Sequence, residues 1–228
     1  NNAGGRHAYY RAIKTFLRWY ESEVEPENWK NPINKIAAPK VPIEPIEPVT
    51  LAEFKKLMKA ANGARCPERD KAILLTLLDT GARAAEFVAM SLEDINLITG
   101  AILIRQGKGR KPRTVFIGKK TRRAVRAYLK TRSDNSGALW GTLHGTRLKQ
   151  SGLRQVLKRN ADRAGIPEHG PHDFRRAFAL NMLRSGCDIY TLARLMGHAD
   201  IQVLKRYLAQ NDQDSQEAHA RFGFVDKL

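Results

Sequence analysis

The chain has 228 residues, 42% of them hydrophobic, which is enough to bury one good-sized domain core and part of a second. No run approaches the roughly 18 continuous apolar residues of a membrane helix, the N-terminal NNAGGRHAYY has no apolar signal-peptide core, and Cys66 and Cys187 are too few for a disulfide framework or a zinc site. A soluble, cytoplasmic-type protein with no membrane partner is expected on the absence of such apolar runs, and the 40 lysines and arginines against 23 acidic residues leave a net charge of +17, which favours a polyanion through phosphate neutralisation and counterion release.

Residues 8–21, AYYRAIKTFLRWYE, carry apolar side chains at helical spacing and predict one amphipathic helix, with Trp19 and Tyr20 as packing residues. The stretch after it, up to Val49, is proline-rich, and its Glu-Pro pairs predict an extended linker without regular structure. Thr50 with Glu53 three residues on is a capping box that opens a helix ending at Asn62-Gly63. An apolar helix is expected from about Glu68 to Thr80, where Gly81 breaks it. Arg83 then opens a short helix, and admits two readings: an ion pair with Glu86, or a phosphate-binding arginine that Glu86 holds in place.

From Asp94 the periodicity changes. DINLITG, AILIRQ and RTVFIG are short β-rich runs separated by turns at Thr99-Gly100 and Gly107-Lys108-Gly109, predicting a small three-stranded antiparallel sheet with Lys108 on the second hairpin turn. Helices follow at Lys119 to Arg132 and at Ser151 to Gly165, with a loop between them. Basic residues concentrate at 105–132 and 147–163, so these two faces are expected to flank a duplex, with Lys111, Arg113, Arg122, Arg154 and Lys158 as candidate phosphate contacts. His144 and His169 are read as surface or packing histidines.

The stretch Pro171 to Leu208, PHDFRRAFALNMLRSGCDIYTLARLMGHADIQVLKRYL, predicts three short helices: Gly186 closes the first, Asp188 caps the second, Gly197 closes it, and Asp200 caps the third. His172 and Arg175 fall on the first turn of the first helix, near the positive end of its dipole, where an anion is welcome. His198 follows the closing glycine and Tyr207 lies on the third helix, so two histidines, an arginine and a tyrosine have a route to one pocket. A last helix is expected around Ser215 to Arg221, before an apolar end with Phe222, Phe224 and Val225.

HDFR, then GHAD, then a tyrosine resembles the C-terminal signature of the tyrosine recombinase (phage integrase) family. TGARAAE is similar to its first arginine box, and GKGRKPR to the turn that carries its lysine; the match runs in family order from Val49 to Leu208. The resemblance implies an α+β, mainly helical integrase catalytic-domain fold: residues 1–36 as the last helix of an N-terminal core-binding domain, 37–49 as linker, 50–210 as catalytic domain and 211–228 as a C-terminal tail. Only one helix of that N-terminal domain is expected before the linker, as in a piece of a longer protein of prokaryotic or phage origin.

The resemblance also implies a chemistry. Tyr207 is the nucleophile that forms a 3′-phosphotyrosyl link, Arg83, Arg175 and His198 contact the non-bridging oxygens, Lys108 is the general acid, and His172 is a base or phosphate ligand. Glu86 supports Arg83. No cofactor and no metal are expected. Double-stranded DNA is the implied partner, with a homo-tetramer on synapsed DNA and accessory DNA-bending or directionality factors. Ala82, Phe174 and Met196 depart from the usual residues, but they touch packing and not reactive groups. The alternatives are a type IB topoisomerase and a non-catalytic DNA-binding regulator; the GHAD histidine and the complete set of reactive residues favour the recombinase.

Overall fold

A helix opened by a Thr-Glu capping box, an apolar helix ended by glycine and a pair of antiparallel strands set the frame in the computed structural model, which describes residues 3–40, 48–105 and 112–197. The chain divides into two compact units, residues 1–46 and 47–228. In the first, α1 (Ala3–Val24) extends the expected helix at both ends. Tyr20 meets Trp29 edge-on at 5.2 Å between ring centroids. The following segment is not wholly irregular: Pro32–Lys35 form a 3-10 turn, because the Asn31 side chain accepts from the Ile33 amide at 3.1 Å and donates to Glu21 at 2.7 Å. The Glu44-Pro45 pair lies outside the described residues.

The second unit begins with α2 (Leu51–Ala60), whose capping box forms as its sequence requires: Glu53 N–H donates to Thr50 Oγ1, and Thr50 N–H donates to Glu53 Oε2 at 2.9 Å. α3 (Pro67–Thr80) is the central helix. It buries Ala72, Ile73, Leu74 and Leu77 and packs against α5 (Lys119–Lys130) and α7 (Pro171–Arg184). α6 (Gln150–Ala164) covers α2 and α4 (Ala84–Ala89). An aromatic stack holds the centre: Phe87 lies parallel to Trp140 at 4.9 Å, and Tyr128 covers the other neighbour position at 5.8 Å. Trp140 comes from the segment between α5 and α6, read from sequence as a plain loop; it is fully buried, and Tyr128 Oη accepts from the Gly141 amide beside it.

The sheet has two strands among the described residues, not three. β1 (Ala101–Ile104) pairs antiparallel with β2 (Arg113–Phe116), with Ile104 opposite Arg113 at the end nearest the connecting segment. The run from Asp94 contributes only a bridge, Ile95 to Ile102. Asn96 ends it: its side-chain oxygen accepts from the amides of Ile98 and Thr99, a local turn that competes with strand pairing. Helix α5 starts at Gly118, which has no capping side chain of its own. Asp79 of α3 supplies the cap, accepting from the Gly118 amide at 2.7 Å and from Thr121 Oγ1 at 2.6 Å.

After α7, Asp188 caps α8 (Ile189–Met196) by accepting from the Tyr190 and Thr191 amides, and Gly197 closes it in the left-handed conformation. Leu192, Ala193 and Met196 pack with Phe178 and Ala179 into a smaller core between α7 and α8. The expected third helix with Asp200, and the helix at 215–221, lie outside the described residues. Both cysteines are free and half-buried. Among the described residues no helix is long and apolar enough to cross a membrane.

Candidate active site

Arg83 sits at the turn between α3 and α4, just past Gly81. That glycine adopts φ +56° to end α3, and a Cβ on it would lie 2.4 Å from the Phe178 ring, so α7 can approach only because the side chain is absent. The approach brings in Arg175. Its Nη1 donates to Gly81 O at 2.6 Å and its Nη2 to Met196 O at 2.7 Å, and the residue is 5% exposed. Arg83 reaches the same place from the other side: Nη1 donates to Met196 O at 3.3 Å and Nη2 to Gly197 O at 2.9 Å. Two guanidinium groups 92 positions apart in sequence thus converge on one carbonyl at the C-terminus of α8, where the helix dipole is negative.

Glu86 binds the assembly from below. Oε1 accepts from Arg83 Nη1 at 2.8 Å and from Arg113 Nη1 at 3.1 Å; Oε2 accepts from the Arg83 amide at 2.9 Å and from Arg113 Nη2 at 2.7 Å. These four bonds use the whole acceptor capacity of a carboxylate. Burial raises its pKa, but the Arg113 bonds, and after them those from Arg83, outweigh it and hold the group at about 2. The ion pair of Arg83 with Glu86 therefore forms, and its other contacts are the carbonyls of the α8 terminus.

The remaining expected residues separate. His172 is exposed on the first turn of α7, while Arg175, one turn on, is turned inward. Lys108, Lys111, His198 and Tyr207 lie outside the described residues. Arg154 and Lys158 are exposed one turn apart on α6. Arg122 instead donates to Ile98 O, pinning α5 to the turn before β1. Arg113 is also turned inward and is 12% exposed on its side chain, with Nε donating to Leu195 O at 2.7 Å. Its basic surroundings suggested a phosphate contact, and the burial is decided by Glu86, 27 positions earlier. His169, read as a surface or packing residue, lies 3.2 Å from Glu53.

The backbone acceptors Met196 O and Gly197 O, and the anchoring role of Gly81, were missed from sequence. The signal available was weak: a glycine at a helix end reads as a cap, and no pattern says what packs over it.

Comparison with known proteins places the chain. The Phage integrase family model matches residues 48–214. Tyrosine recombinase XerA of Thermococcus kodakarensis is 31% identical over 221 residues, covering 96% of this chain and 75% of the relative. Tyrosine recombinase XerC of Alcanivorax borkumensis is 32% identical over 203 residues, covering 86% of this chain and 65% of the relative. A crystal structure of XerA recombinase superposes with a TM-score of 0.68 at 25% identity, covering 95% of this chain and 76% of that one. XerH recombinase bound to a palindromic difH substrate shares the fold, with a TM-score of 0.70 at 19% identity, 99% of this chain and 68% of the other being covered. With a matching model over most of its length and relatives of this identity and coverage, the chain belongs to the phage integrase family of tyrosine recombinases.

Proposed function

We propose that this tyrosine recombinase cleaves and rejoins double-stranded DNA at a phosphodiester held by Arg83 and Arg175, with Tyr207 as nucleophile. The observation that carries the reading is the convergence of both guanidinium groups on Met196 O, one residue before Gly197-His198. Fixed donors cost no reorganisation when a phosphate becomes a more highly charged phosphorane, and planar guanidiniums suit its non-bridging oxygens. His198, the next residue in the chain after Gly197, adds a donor.

In the forward step Tyr207 Oη forms a bond to phosphorus and the bond to the 5′-oxygen breaks. The tyrosine proton passes to His172 or to solvent, and Lys108 protonates the leaving 5′-oxygen, giving a 3′-phosphotyrosyl link and a free 5′-hydroxyl. The reverse attack by a 5′-hydroxyl of a partner duplex releases the tyrosine and exchanges strands. The phosphodiester energy is conserved in the covalent link, so no nucleotide hydrolysis is needed. Exchange between two sites calls for several protomers on synapsed DNA; a homo-tetramer, with accessory DNA-bending or directionality factors, fits that requirement, and the exposed Arg154 and Lys158 of α6 supply phosphate contacts along the duplex.

Tyr207→Phe tests the assignment. The variant is expected to keep its DNA affinity and lose covalent attachment, because only the nucleophilic oxygen is deleted. A denaturation-resistant protein–DNA adduct formed by that variant would overturn it.

A further inference from the structure

Arg113 stands where three parts of the proposed site meet. It is the first residue of β2, paired with Ile104, and follows Lys108 by five positions in the chain. Two of its nitrogens grip both oxygens of Glu86, the carboxylate that also holds Arg83. Nε donates to Leu195 O, in the last turn of the helix that leads to His198. The guanidinium plane is also covered by Gly197: a Cβ there would lie 2.8 Å from Nη1 and 3.0 Å from Cζ. A lysine offers one point charge and cannot span a carboxylate and a carbonyl together, whereas the guanidinium fork does both.

We propose that Arg113 is a positioning residue, which fixes the start of β2, just after Lys108 in sequence, and the end of α8, just before His198, against Arg83, and that it is not a DNA contact. The inference rests on the phosphotyrosyl reading above. It explains why a basic residue inside the most cationic stretch of the chain is spent on protein acceptors, and why the residue closing α8 has no side chain.

The test uses Arg113→Met, which keeps length and removes every donor, and Arg113→Lys, which keeps the charge. The substrate is a mixed-sequence library of nicked duplexes from which wild-type protein has selected its site by covalent capture. Three quantities are read: the single-turnover rate constant of adduct formation at saturating DNA, its amplitude, and the salt slope of binding. With Arg113→Met the rate constant is expected to fall roughly 10- to 100-fold, the scale for losing a residue that orients reactive groups, with amplitude and salt slope unchanged. Arg113→Lys should recover little of it, and carries the test if the methionine variant does not fold. A salt slope lower by about 1 with an unchanged rate constant makes Arg113 a phosphate contact and overturns the inference. A loss confined to amplitude marks a merely misfolded fraction and overturns it too. A wild type that forms no adduct overturns the phosphotyrosyl reading itself, and the inference with it, a failure told apart by where it occurs.

Discussion

Replacing Glu86 by glutamine keeps the shape of the side chain and removes its charge, and the structure says what that costs. The carboxylate accepts four hydrogen bonds, from Arg83 twice and Arg113 twice, and its side chain is 10% exposed. An amide can accept through one atom only and turns donors toward the guanidinium groups on the other side. Breaking a buried ion pair by removing one partner costs about 3–5 kcal/mol. Arg83 at 22% and Arg113 at 12% exposure keep some hydration, which sets the expectation at about 3 kcal/mol.

The pH dependence gives an independent check. The Glu86 carboxyl lies at about 2 in the folded chain against an ordinary value of 4.5. A depressed carboxyl contributes stability that is complete above the unfolded value and lost as pH falls through the folded one. The difference of about 2.5 between 4.5 and about 2 corresponds to about 3 kcal/mol near neutral pH, of which roughly 1 kcal/mol is gone at pH 3.5. Urea denaturation of wild type and Glu86→Gln at pH 7 and pH 3.5 should therefore show a gap that narrows on acidification. A gap of equal size at both pH values would refute the reasoning, since the ionised carboxylate would then not be what the two arginines stabilise.

Gly197→Ala should lower stability by about 1–2 kcal/mol, because φ is +63° and the new Cβ would press on Arg113; thermal melts measure it, and an unchanged melting temperature would show that Arg113 can move aside at no cost. Lys108→Ala should slow cleavage by roughly 10²- to 10⁴-fold, with most of the rate restored on DNA whose 5′-bridging oxygen is replaced by sulfur, a leaving group that needs no proton; without that restoration Lys108 would be a phosphate ligand and not the acid.

Local patterns carried far in this chain, because they encode rules that act over a few residues. Thr50 and Glu53 form their capping box, Gly81 and Gly197 close helices in the left-handed region, and Asp188 caps α8, each as the side-chain chemistry requires. The same locality explains the errors. The run DINLITG has strand composition, yet Asn96 captures the amides of Ile98 and Thr99 and leaves a bridge where a third strand was expected. Pro32–Lys35 turn because Asn31 caps them, in a stretch whose prolines suggested extension.

The sequence by itself determined the family, since the boxes TGARAAE, GKGRKPR and HDFR with GHAD are contiguous and ordered. It could not determine which cations are left exposed and which face the protein. Arg113 and Arg175 resemble Arg154 in sequence, each a basic residue in a basic chain. Only the tertiary structure decided that Arg113 is held by Glu86 and Leu195 O, that Arg175 is held by Gly81 O and Met196 O, and that Arg154 is left exposed. The physical reason is that a buried guanidinium needs acceptors in fixed places. Here they are a carboxylate and the carbonyls that helix ends leave over, and these are brought together by chain segments far apart in sequence.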